Sequence, residues 1–294
     1  MYDIAIIGAG PAGFTAAIYA RRYRLKTLII GEIYGGMISE AHKVCNFPTY
    51  DSIKGYELTQ KMLQQVQNLG AEVVPEVVED ITKDKVFTVK TNNAKYQAKK
   101  VIIAIGSKKR KLNVPGETEL LGKGVSYCAT CDAAFFNGKT VAVIGGSNSA
   151  LTAALLLAEY ANKVYLIYRK DNFFRAEPAW VEQVNANDKI EILFNTNVLE
   201  ILGKEKVESV KTTNGLIEVN GVFVEIGSTP DVRFVEKLGL EHRDGYIVVD
   251  KFQKTNVDGI YAAGDATDNV LKQVITACAE GAVAASTAYK EMNK

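Results

Sequence analysis

Residues 4–32 have the sequence IAIIGAGPAGFTAAIYARRYRLKTLIIGE, and residues 141–169 have the sequence VAVIGGSNSALTAALLLAEYANKVYLIYR. The two stretches align without a gap at a constant offset, which pairs Gly8 with Gly145. Each begins with an apolar strand, passes through a glycine turn into an alanine-rich helix, and ends in a β-branched strand, the pattern of a βαβ unit. The repeat predicts an α/β protein with two Rossmann-like dinucleotide-binding domains.

Composition limits the classes of function. The 294 residues are 47% hydrophobic and 23% charged, which predicts a globular chain of about two domains. A formal charge of +1 provides no basic surface for a polyanion, so we expect no nucleic-acid partner. No apolar run approaches the ~18 residues that would span a bilayer, and no cationic leader precedes the first strand. We therefore expect a cytoplasmic protein with no membrane partner.

Turn sequences predict where the chain crosses between the domains. One lies at residues 113–116 and the other at 244–245, where Gly, Pro, Asn and Asp interrupt the apolar pattern. The first domain then comprises residues 1–112 and 245–294. The second domain, residues 113–244, is inserted within the first.

Short alternating segments follow each βαβ unit. Residues 71–78 and 86–91 predict a small antiparallel β insertion in the first domain, which ends in a buried strand at 101–105. The same order recurs over residues 190–226. Each domain is therefore predicted to carry one small antiparallel insertion.

The turn of the first copy has the pattern G-x-G-x-x-G, formed by Gly8, Gly10 and Gly13. These glycines permit a tight turn and close approach of the backbone to a pyrophosphate, which the helix N-terminus stabilises. Glu32 follows about 20 residues later, where an acid is expected to accept a hydrogen bond from a ribose hydroxyl. A dinucleotide site is therefore predicted, and an ordinary tight turn is the alternative.

The second copy differs at the corresponding positions. Ser147 and Ala150 replace the second and third glycines, and Glu32 corresponds to Arg169, which is followed by Lys170. A cation attracts a 2′-phosphate that an acid would repel, so this copy favours a phosphorylated ribose. A solvated basic strand end is the alternative interpretation.

Two further elements carry polar chemistry. A predicted strand ends at Gly264 and Asp265, where an acid could hydrogen-bond a polyol, and an alanine-rich helix follows from about Lys272. Cys128 and Cys131 form a Cys-x-x-Cys pair, which is typical of redox or metal chemistry.

The metal alternative for this pair is half of a zinc site. No second Cys-x-x-Cys pair exists, and His42 and His242 are the only histidines, so we assign no metal ligand. The adjacent Asp132 could shuttle a proton. Cys45 and Cys278 are expected to be buried small hydrophobic residues.

These elements together resemble the low-molecular-weight thioredoxin reductases, which are FAD-dependent pyridine nucleotide-disulfide oxidoreductases of class II. CATCD at 128–132, immediately before the second βαβ unit, is the most specific of the shared motifs. The others run along nearly the whole chain: GAGPAG (8–13), GG (35–36), NFP (46–48), IIAIGS (102–107), YAAGDATD (261–268) and KQVITA (272–277).

The resemblance implies which residues bind the two cofactors, FAD in the first domain and NADPH in the second. Met37 and Lys272 depart from the residues usual in the family, as does Cys45. The implied FAD residues are Gly8, Ala9, Gly10, Pro11, Ala12, Gly13, Glu32, Gly35, Gly36, Met37, Ile38, Asn46, Gly106, Gly264, Asp265, Lys272, Gln273 and Val274. The implied nucleotide residues are Gly145, Gly146, Ser147, Asn148, Ser149, Arg169, Lys170, Arg175 and Gly227.

The resemblance also implies roles for the redox pair. Cys131 faces the flavin, Cys128 exchanges with the partner disulfide, and Asp132 is the acid. Phe135 or Phe136 would help to dock the partner, with core packing as the alternative. The implied function is a homodimeric thioredoxin-disulfide reductase that passes electrons from NADPH through FAD to thioredoxin.

Two questions are open at this point: which molecule donates the electrons, and whether the protein is an enzyme or a redox sensor. Family members that use NADPH have His-Arg-Arg where this chain has Tyr168, Arg169 and Lys170, and Arg175 comes one residue late. These departures predict an NADPH preference with weakened affinity. The alternatives are a degenerate site with NADH or reduced ferredoxin as donor, and a flavin-bound redox sensor.

Overall fold

The computed structural model describes residues 1–41, 43–174, 176–230 and 236–293. The chain forms two compact units, Met1–Lys108 with Thr229–Lys294 and Lys109–Ser228. It passes between them at two short strands, β7 (Lys108–Lys109) and β16 (Ser228–Thr229). Within the described ranges, no helix has the length and apolar character needed to cross a membrane.

The first unit is built on a seven-stranded sheet in the order β3-β2-β1-β6-β5-β4, with β19 added beside β6. Five strands are parallel, and β4 and β5 form the antiparallel extension. The strands are β1 (Tyr2–Ile7), β2 (Thr27–Ile30), β3 (Glu72–Val74), β4 (Val78–Lys83), β5 (Phe87–Thr91), β6 (Lys95–Ile103) and β19 (Ile260–Ala262). A separate hairpin pairs β17 (His242–Arg243) with β18 (Tyr246–Ile247).

Alternating side chains of the central strands bury both faces of this sheet. Ile4 and Ile6 of β1 point into one core with the helices, whereas Ala5 and Ile7 point into the other. Such two-sided burial explains why β1 is an uninterrupted apolar run. The helices of this unit are α1 (Pro11–Arg22), α2 (Gly55–Asn68) and the C-terminal α6 (Val274–Met292).

Helices α1 and α6 approach each other at a glycine. A Cβ atom built on Gly281 would lie 2.1 Å from the carbonyl oxygen of Ala12. Because glycine has no Cβ, α6 packs directly against the first turn of α1. This contact brings the start of α6 close to the glycine turn before α1.

The second unit has a five-stranded parallel sheet in the order β11-β10-β9-β15-β8 and a three-stranded antiparallel sheet, β12-β13-β14. The parallel strands are β8 (Val125–Ser126), β9 (Thr140–Ile144), β10 (Lys163–Ile167), β11 (Ile190–Leu193) and β15 (Gly221–Val224). The antiparallel strands are β12 (Val198–Leu202), β13 (Ser209–Thr212) and β14 (Gly215–Glu218). The helices are α3 (Ala129–Asp132), α4 (Asn148–Tyr160) and α5 (Pro178–Asn185).

The predicted α/β class with two Rossmann-like folds is confirmed, with one local difference. Within the segment 71–78, strand β3 joins the parallel sheet beside β2 and is not part of the antiparallel insertion. A three-residue strand has too little pattern to show its partner, which the crossover through α2 decides. The insertion itself consists of β4, β5 and the start of β6.

The two units also differ in extent from the predicted cofactor-binding domains. Residues 229–244, assigned from the sequence to the second domain, group with the first unit. There, Leu240 is buried in the core that contains Ile81 and Ile260. Residues 109–112 group with the second unit. Which cofactor each domain holds stays a prediction at this stage.

Candidate functional site

The glycine turn of the first unit connects β1 to α1. Gly8 has φ of +116°, and a Cβ there would lie 2.1 Å from the carbonyl oxygen of Ala104. A Cβ on Gly13 would lie 2.0 Å from the carbonyl oxygen of Gly8. Gly10 is the N-cap of α1, no side chain caps the helix, and Pro11 and Ala12 begin it. The free backbone N–H groups at this end are suited to an anion.

A second glycine pair closes over this turn. The Gly35 N–H donates to the carbonyl oxygen of Ala9 at 2.7 Å. Gly36, with φ of +60°, lies so that a Cβ on it would be 3.6 Å from the Gly10 Cα. Exposed Glu32 follows β2, exposed Met37 and half-buried Ile38 follow the glycine pair, and Gly106 follows β6.

Residues from two distant segments meet at the start of α6. The Asn46 side chain donates to Oε1 of Gln273 at 2.9 Å, and Gln273 and Thr276 form a capping box. The Val274 side chain packs with Ile38 and Val44. Asn46 is thus joined to the start of α6.

Asp265 lies in the 3-10 turn Gly264–Ala266 that follows β19. Burial raises the pKa of this carboxyl group, and the nearby Lys272 opposes the shift. Among the described residues, none donates a hydrogen bond to the Asp265 side chain. Burial lowers the pKa of Lys272, whose Nζ donates to the carbonyl oxygen of Thr267. The Asp265 carboxylate is therefore held in a partly desolvated position without a donor.

Glu280 is a residue of this site that the sequence analysis missed. Its Oε2 accepts a hydrogen bond from the Gly264 N–H at 2.6 Å, and burial raises its pKa. The available signal was an acid among the small residues of an alanine-rich helix. Glu280 fixes the turn that carries Asp265.

The glycine turn of the second unit connects β9 to α4. Gly145 has φ of +148°, and a Cβ there would lie 2.1 Å from the carbonyl oxygen of Glu225. A Cβ on Gly146 would lie 2.6 Å from ring atoms of Tyr168. Ser147 is the N-cap of α4, but its side chain makes no capping hydrogen bond. The start of this helix also presents free backbone N–H groups.

The first turn of α4 is tied to the segment before α5. Asn148 donates to Oε1 of Glu177 at 2.8 Å and accepts from the Glu177 N–H at 2.7 Å. The next residue, Ser149, contributes its carbonyl oxygen to the Thr152 hydroxyl. A carboxylate thus lies beside this helix start, which makes it less favourable to an anion than the first one.

The basic residues predicted for a 2′-phosphate follow β10. Arg169 and Lys170 are exposed, and Lys170 Nζ lies 4.7 Å from the centre of the Phe174 ring. Arg175 lies outside the described residues. Gly227 follows β15 with φ of +97°, and its carbonyl oxygen accepts from the Arg110 N–H.

Cys128 and Cys131 are joined as a disulfide, with their Cα atoms 5.3 Å apart. Cys128 is half-buried and Cys131 is exposed at the short helix α3. The Cys131 N–H donates to Cys128 Sγ at 3.2 Å, and the Cys128 N–H donates to the Ser126 hydroxyl at 3.0 Å. Half-buried Asp132 ends α3. The sulfur of Cys128 is therefore held in a position where a backbone donor stabilises negative charge.

The two phenylalanines after the pair have different environments. Phe136 is buried, and its ring packs edge-on against Phe223 with centres 5.2 Å apart. Phe135 is 72% exposed. Core packing is thus the role of Phe136, and Phe135 remains available at the surface.

The remaining cysteines only partly match expectation. Cys278 packs beside Val274 and Ile53, and burial raises the pKa of its thiol. Cys45 is exposed, so the expectation that it is buried is wrong. It lies in a surface loop, where burial is decided by chain path and not by residue type.

Comparisons with known proteins agree with this geometry. Residues 2–281 match the family model described as pyridine nucleotide-disulphide oxidoreductase. A thioredoxin reductase of Listeria innocua is 40% identical over 99% of this chain and 93% of its own length.

Solved structures show the same likeness. Lactococcus lactis thioredoxin reductase matches with a TM-score of 0.96 and 36% identity, over 99% of this chain and 98% of that one. A ferredoxin-flavin thioredoxin reductase from Clostridium acetobutylicum is 36% identical over 99% of this chain and 98% of that one, with a TM-score of 0.55. The chain therefore belongs to the pyridine nucleotide-disulphide oxidoreductase family, in which it is a flavoprotein disulfide reductase.

Proposed function

We propose that this enzyme passes electrons from NADPH through FAD to the Cys128–Cys131 disulfide, and from there to the disulfide of a thioredoxin. The observation that carries the proposal is the closed disulfide, which lies directly before the second nucleotide turn in the same unit. Relatives named thioredoxin reductase support the choice of partner.

The residues of the first unit fit FAD. The N-terminus of α1 is uncapped, and a Cβ on Gly10 would meet only the Gly35 carbonyl oxygen, at 3.8 Å, so a pyrophosphate can approach the backbone. Asp265 offers a partly desolvated carboxylate without a donor, as a polyol hydroxyl requires. Glu32 after β2 would accept from the ribose.

FAD when bound supplies a two-electron carrier between a pyridine nucleotide and a disulfide. Its proposed ligands are the residues named above for the first unit. They are the turn 8–13, Glu32, Gly35 to Ile38, Asn46, Gly106, Gly264, Asp265, and Lys272 to Val274.

The proposed NADPH residues lie in the second unit. The turn at 145–149 would hold the pyrophosphate, while Arg169 and Lys170 would contact the 2′-phosphate. Gly227, with no side chain and open space around it, would border the nicotinamide end. Arg175 is proposed from its position in the sequence alone.

The chemistry of the disulfide pair is thiol–disulfide exchange. Two electrons and two protons convert Cys128–Cys131 to two thiols. The Cys128 thiolate, stabilised by the Cys131 N–H, attacks one sulfur of the thioredoxin disulfide and forms a mixed disulfide. Cys131 then attacks Cys128, which restores the pair and releases reduced thioredoxin. Asp132 would deliver the proton to the leaving thiolate.

Steady-state reduction of thioredoxin by NADPH tests this function. Cys128→Ser and Cys131→Ser should each abolish turnover while NADPH still reduces the flavin, because the exchange steps need both sulfurs. Cys131→Ser should also trap a mixed disulfide through Cys128. Thioredoxin turnover by both variants would contradict the proposed path. A redox sensor, in contrast, would show no turnover in the unmodified protein.

A second donor is supported by one feature of the nucleotide site and by one comparison. Glu177 lies at the start of α4, and a relative of similar length is named a ferredoxin-flavin thioredoxin reductase. Anaerobic titration with NADPH, NADH and reduced ferredoxin in parallel separates the donors. If reduced ferredoxin alone reduces the flavin, ferredoxin takes the place of NADPH as the proposed electron donor.

The family resemblance further leads us to propose a homodimer. Sedimentation velocity of the flavin-loaded protein should give about twice the 32.1 kDa mass of one chain. A species of one-chain mass at micromolar concentration would contradict this assembly.

A further inference from the structure

We infer that the ion pair Lys109–Glu225 is a positioning device that sets the dithiol–disulfide equilibrium of Cys128 and Cys131. Both charged residues belong to the second unit, although they lie 116 positions apart along the chain. The inference requires only that the disulfide is redox-active. It therefore stands apart from the choice of NADPH and thioredoxin.

Lys109 joins the redox loop, the residues 127–132 that follow β8, to the end of the parallel sheet. Its Nζ donates to Glu225 Oε1 at 3.0 Å and also to the carbonyl oxygen of Tyr127, the residue before Cys128. The two charged side chains are 21% and 9% exposed. Glu225 follows β15 directly, and its own carbonyl oxygen contacts the turn at Gly145. One ion pair thus touches the backbone of the redox loop and the strand that supports the nucleotide turn.

A buried carboxylate holds Tyr127 from its other end. Glu117, 2% exposed, accepts hydrogen bonds from the Tyr127 hydroxyl at 2.6 Å and from the N–H groups of residues 112–113 at 2.7 and 2.6 Å. Burial and the hydrogen bond to Glu117 raise the pKa of Tyr127, so its hydroxyl stays a donor. With both ends of Tyr127 fixed, the ammonium group of Lys109 is kept at a constant place beside the peptide group that joins Tyr127 to Cys128.

This placement gives Lys109 a direct electrostatic influence on the redox pair. Bond lengths limit the distance from Lys109 Nζ to Cys128 Sγ to about 9 Å, which is comparable to the ~8 Å screening length at physiological salt. A nearby cation stabilises a thiolate and hence the reduced form of the pair, and a nearby carboxylate has the opposite effect. Lys109 therefore favours the dithiol, and Glu225 opposes that effect.

The two partners should shift the equilibrium in opposite directions. The flavin-loaded protein is equilibrated with oxidised and reduced dithiothreitol, which supplies the two electrons and two protons, and the thiols at 128 and 131 are counted by alkylation and mass spectrometry. Glu225→Gln should favour the dithiol about threefold, equivalent to about 14 mV for a two-electron couple. Lys109→Met should favour the disulfide by a similar factor.

Two further variants separate electrostatics from loss of structure. The double variant Lys109→Met with Glu225→Gln should return close to the unmodified equilibrium. Glu191→Gln, which removes an exposed ion pair with Lys163 in the same unit, should leave it unchanged. Shifts of the same sign in the two single variants, or no shift in either, would overturn the inference. None of these readouts involves NADPH or thioredoxin, so the proposed function would survive that failure.

Discussion

The two glycine turns of the molecule share one constraint and differ in another. At Gly8 and at Gly145, a Cβ would lie 2.1 Å from a carbonyl oxygen on the far neighbouring segment, Ala104 in one unit and Glu225 in the other. In both units this close approach of two backbones requires glycine, whatever ligand the turn holds. The first glycine is thus a property of the fold.

The residue in the glycine turn and the residue after the second strand of the βαβ unit pack against each other differently in the two copies. In the first, a Cβ on Gly31 would lie 2.8 Å from the Cβ of Ala9. In the second, the corresponding residues are exchanged in size, with Gly146 in the turn and the Tyr168 ring facing it. The Tyr168 ring of the second copy therefore occupies a position where the first copy, with Gly31, has no side chain. The same fold admits both solutions because one residue of each pair is glycine, which leaves room for the side chain of the other.

The largest effect is expected at the third glycine of the first turn. Gly13→Ala should destabilise the protein by about 3 kcal/mol, because its Cβ would lie 2.0 Å from the Gly8 carbonyl oxygen and backbone must move. The matched change in the second copy, Ala150→Gly, should cost only about 1 kcal/mol, the usual cost of glycine in a helix. Urea denaturation measures both. Equal costs would show that the two turns are packed alike.

The size exchange predicts coupling between two residues of the second copy. Gly146→Ala should cost about 2 kcal/mol, because the added methyl group meets a Tyr168 ring that is stacked on Phe173. Adding Tyr168→Gly, which recreates the pair of the first copy, should recover at least ~1 kcal/mol of that cost in a double-mutant cycle. Additive effects of the two changes would disprove the exchange.

Asp265 lies in the turn that follows β19, and its desolvation opposes stability. Since its folded-state pKa is raised by burial, the charged carboxylate destabilises the apoprotein above that pKa, and the cost disappears as the pH falls through it. Asp265→Asn should therefore stabilise the apoprotein at pH 7 but not near pH 3. It should also weaken FAD binding about tenfold. Thermal unfolding measured as a function of pH checks the stability of the variant, and flavin titration checks its affinity for FAD. If the Asp265→Asn apoprotein were less stable than the unmodified apoprotein at pH 7, Asp265 would not be a desolvated carboxylate.

The last and smallest effect concerns Arg169, the base that stands after β10 where the first copy has the acid Glu32 after β2. Arg169→Ala should lower kcat/KM for NADPH about tenfold, the low end for a charge-assisted contact at an exposed site. The value for NADH should change little, because NADH has no 2′-phosphate. Lys139→Ala, an exposed cation on a different loop, serves as the control. An equal loss with both nucleotides would assign Arg169 a role unrelated to the phosphate.

Local sequence was enough to predict the repeated βαβ units, both glycine turns and the redox pair. Continuous apolar strands and glycines at fixed spacing are set by neighbours along the chain. Contacts between distant residues were not predictable in this way. Glu280 resembles any helix acid until the turn at Gly264 folds onto it. Lys109 and Glu225 are 116 residues apart, and each alone is consistent with a solvated charge.

The path from NADPH through FAD to the Cys128–Cys131 disulfide is best tested by counting the electrons that NADPH delivers. In an anaerobic titration, the unmodified protein has two acceptors, the flavin and the Cys128–Cys131 disulfide, whereas Cys131→Ser has the flavin alone. The unmodified protein should consume one equivalent of NADPH more than Cys131→Ser before free NADPH accumulates. Equal consumption by the two proteins, or no flavin reduction by NADPH in either, would rule out the proposed electron path.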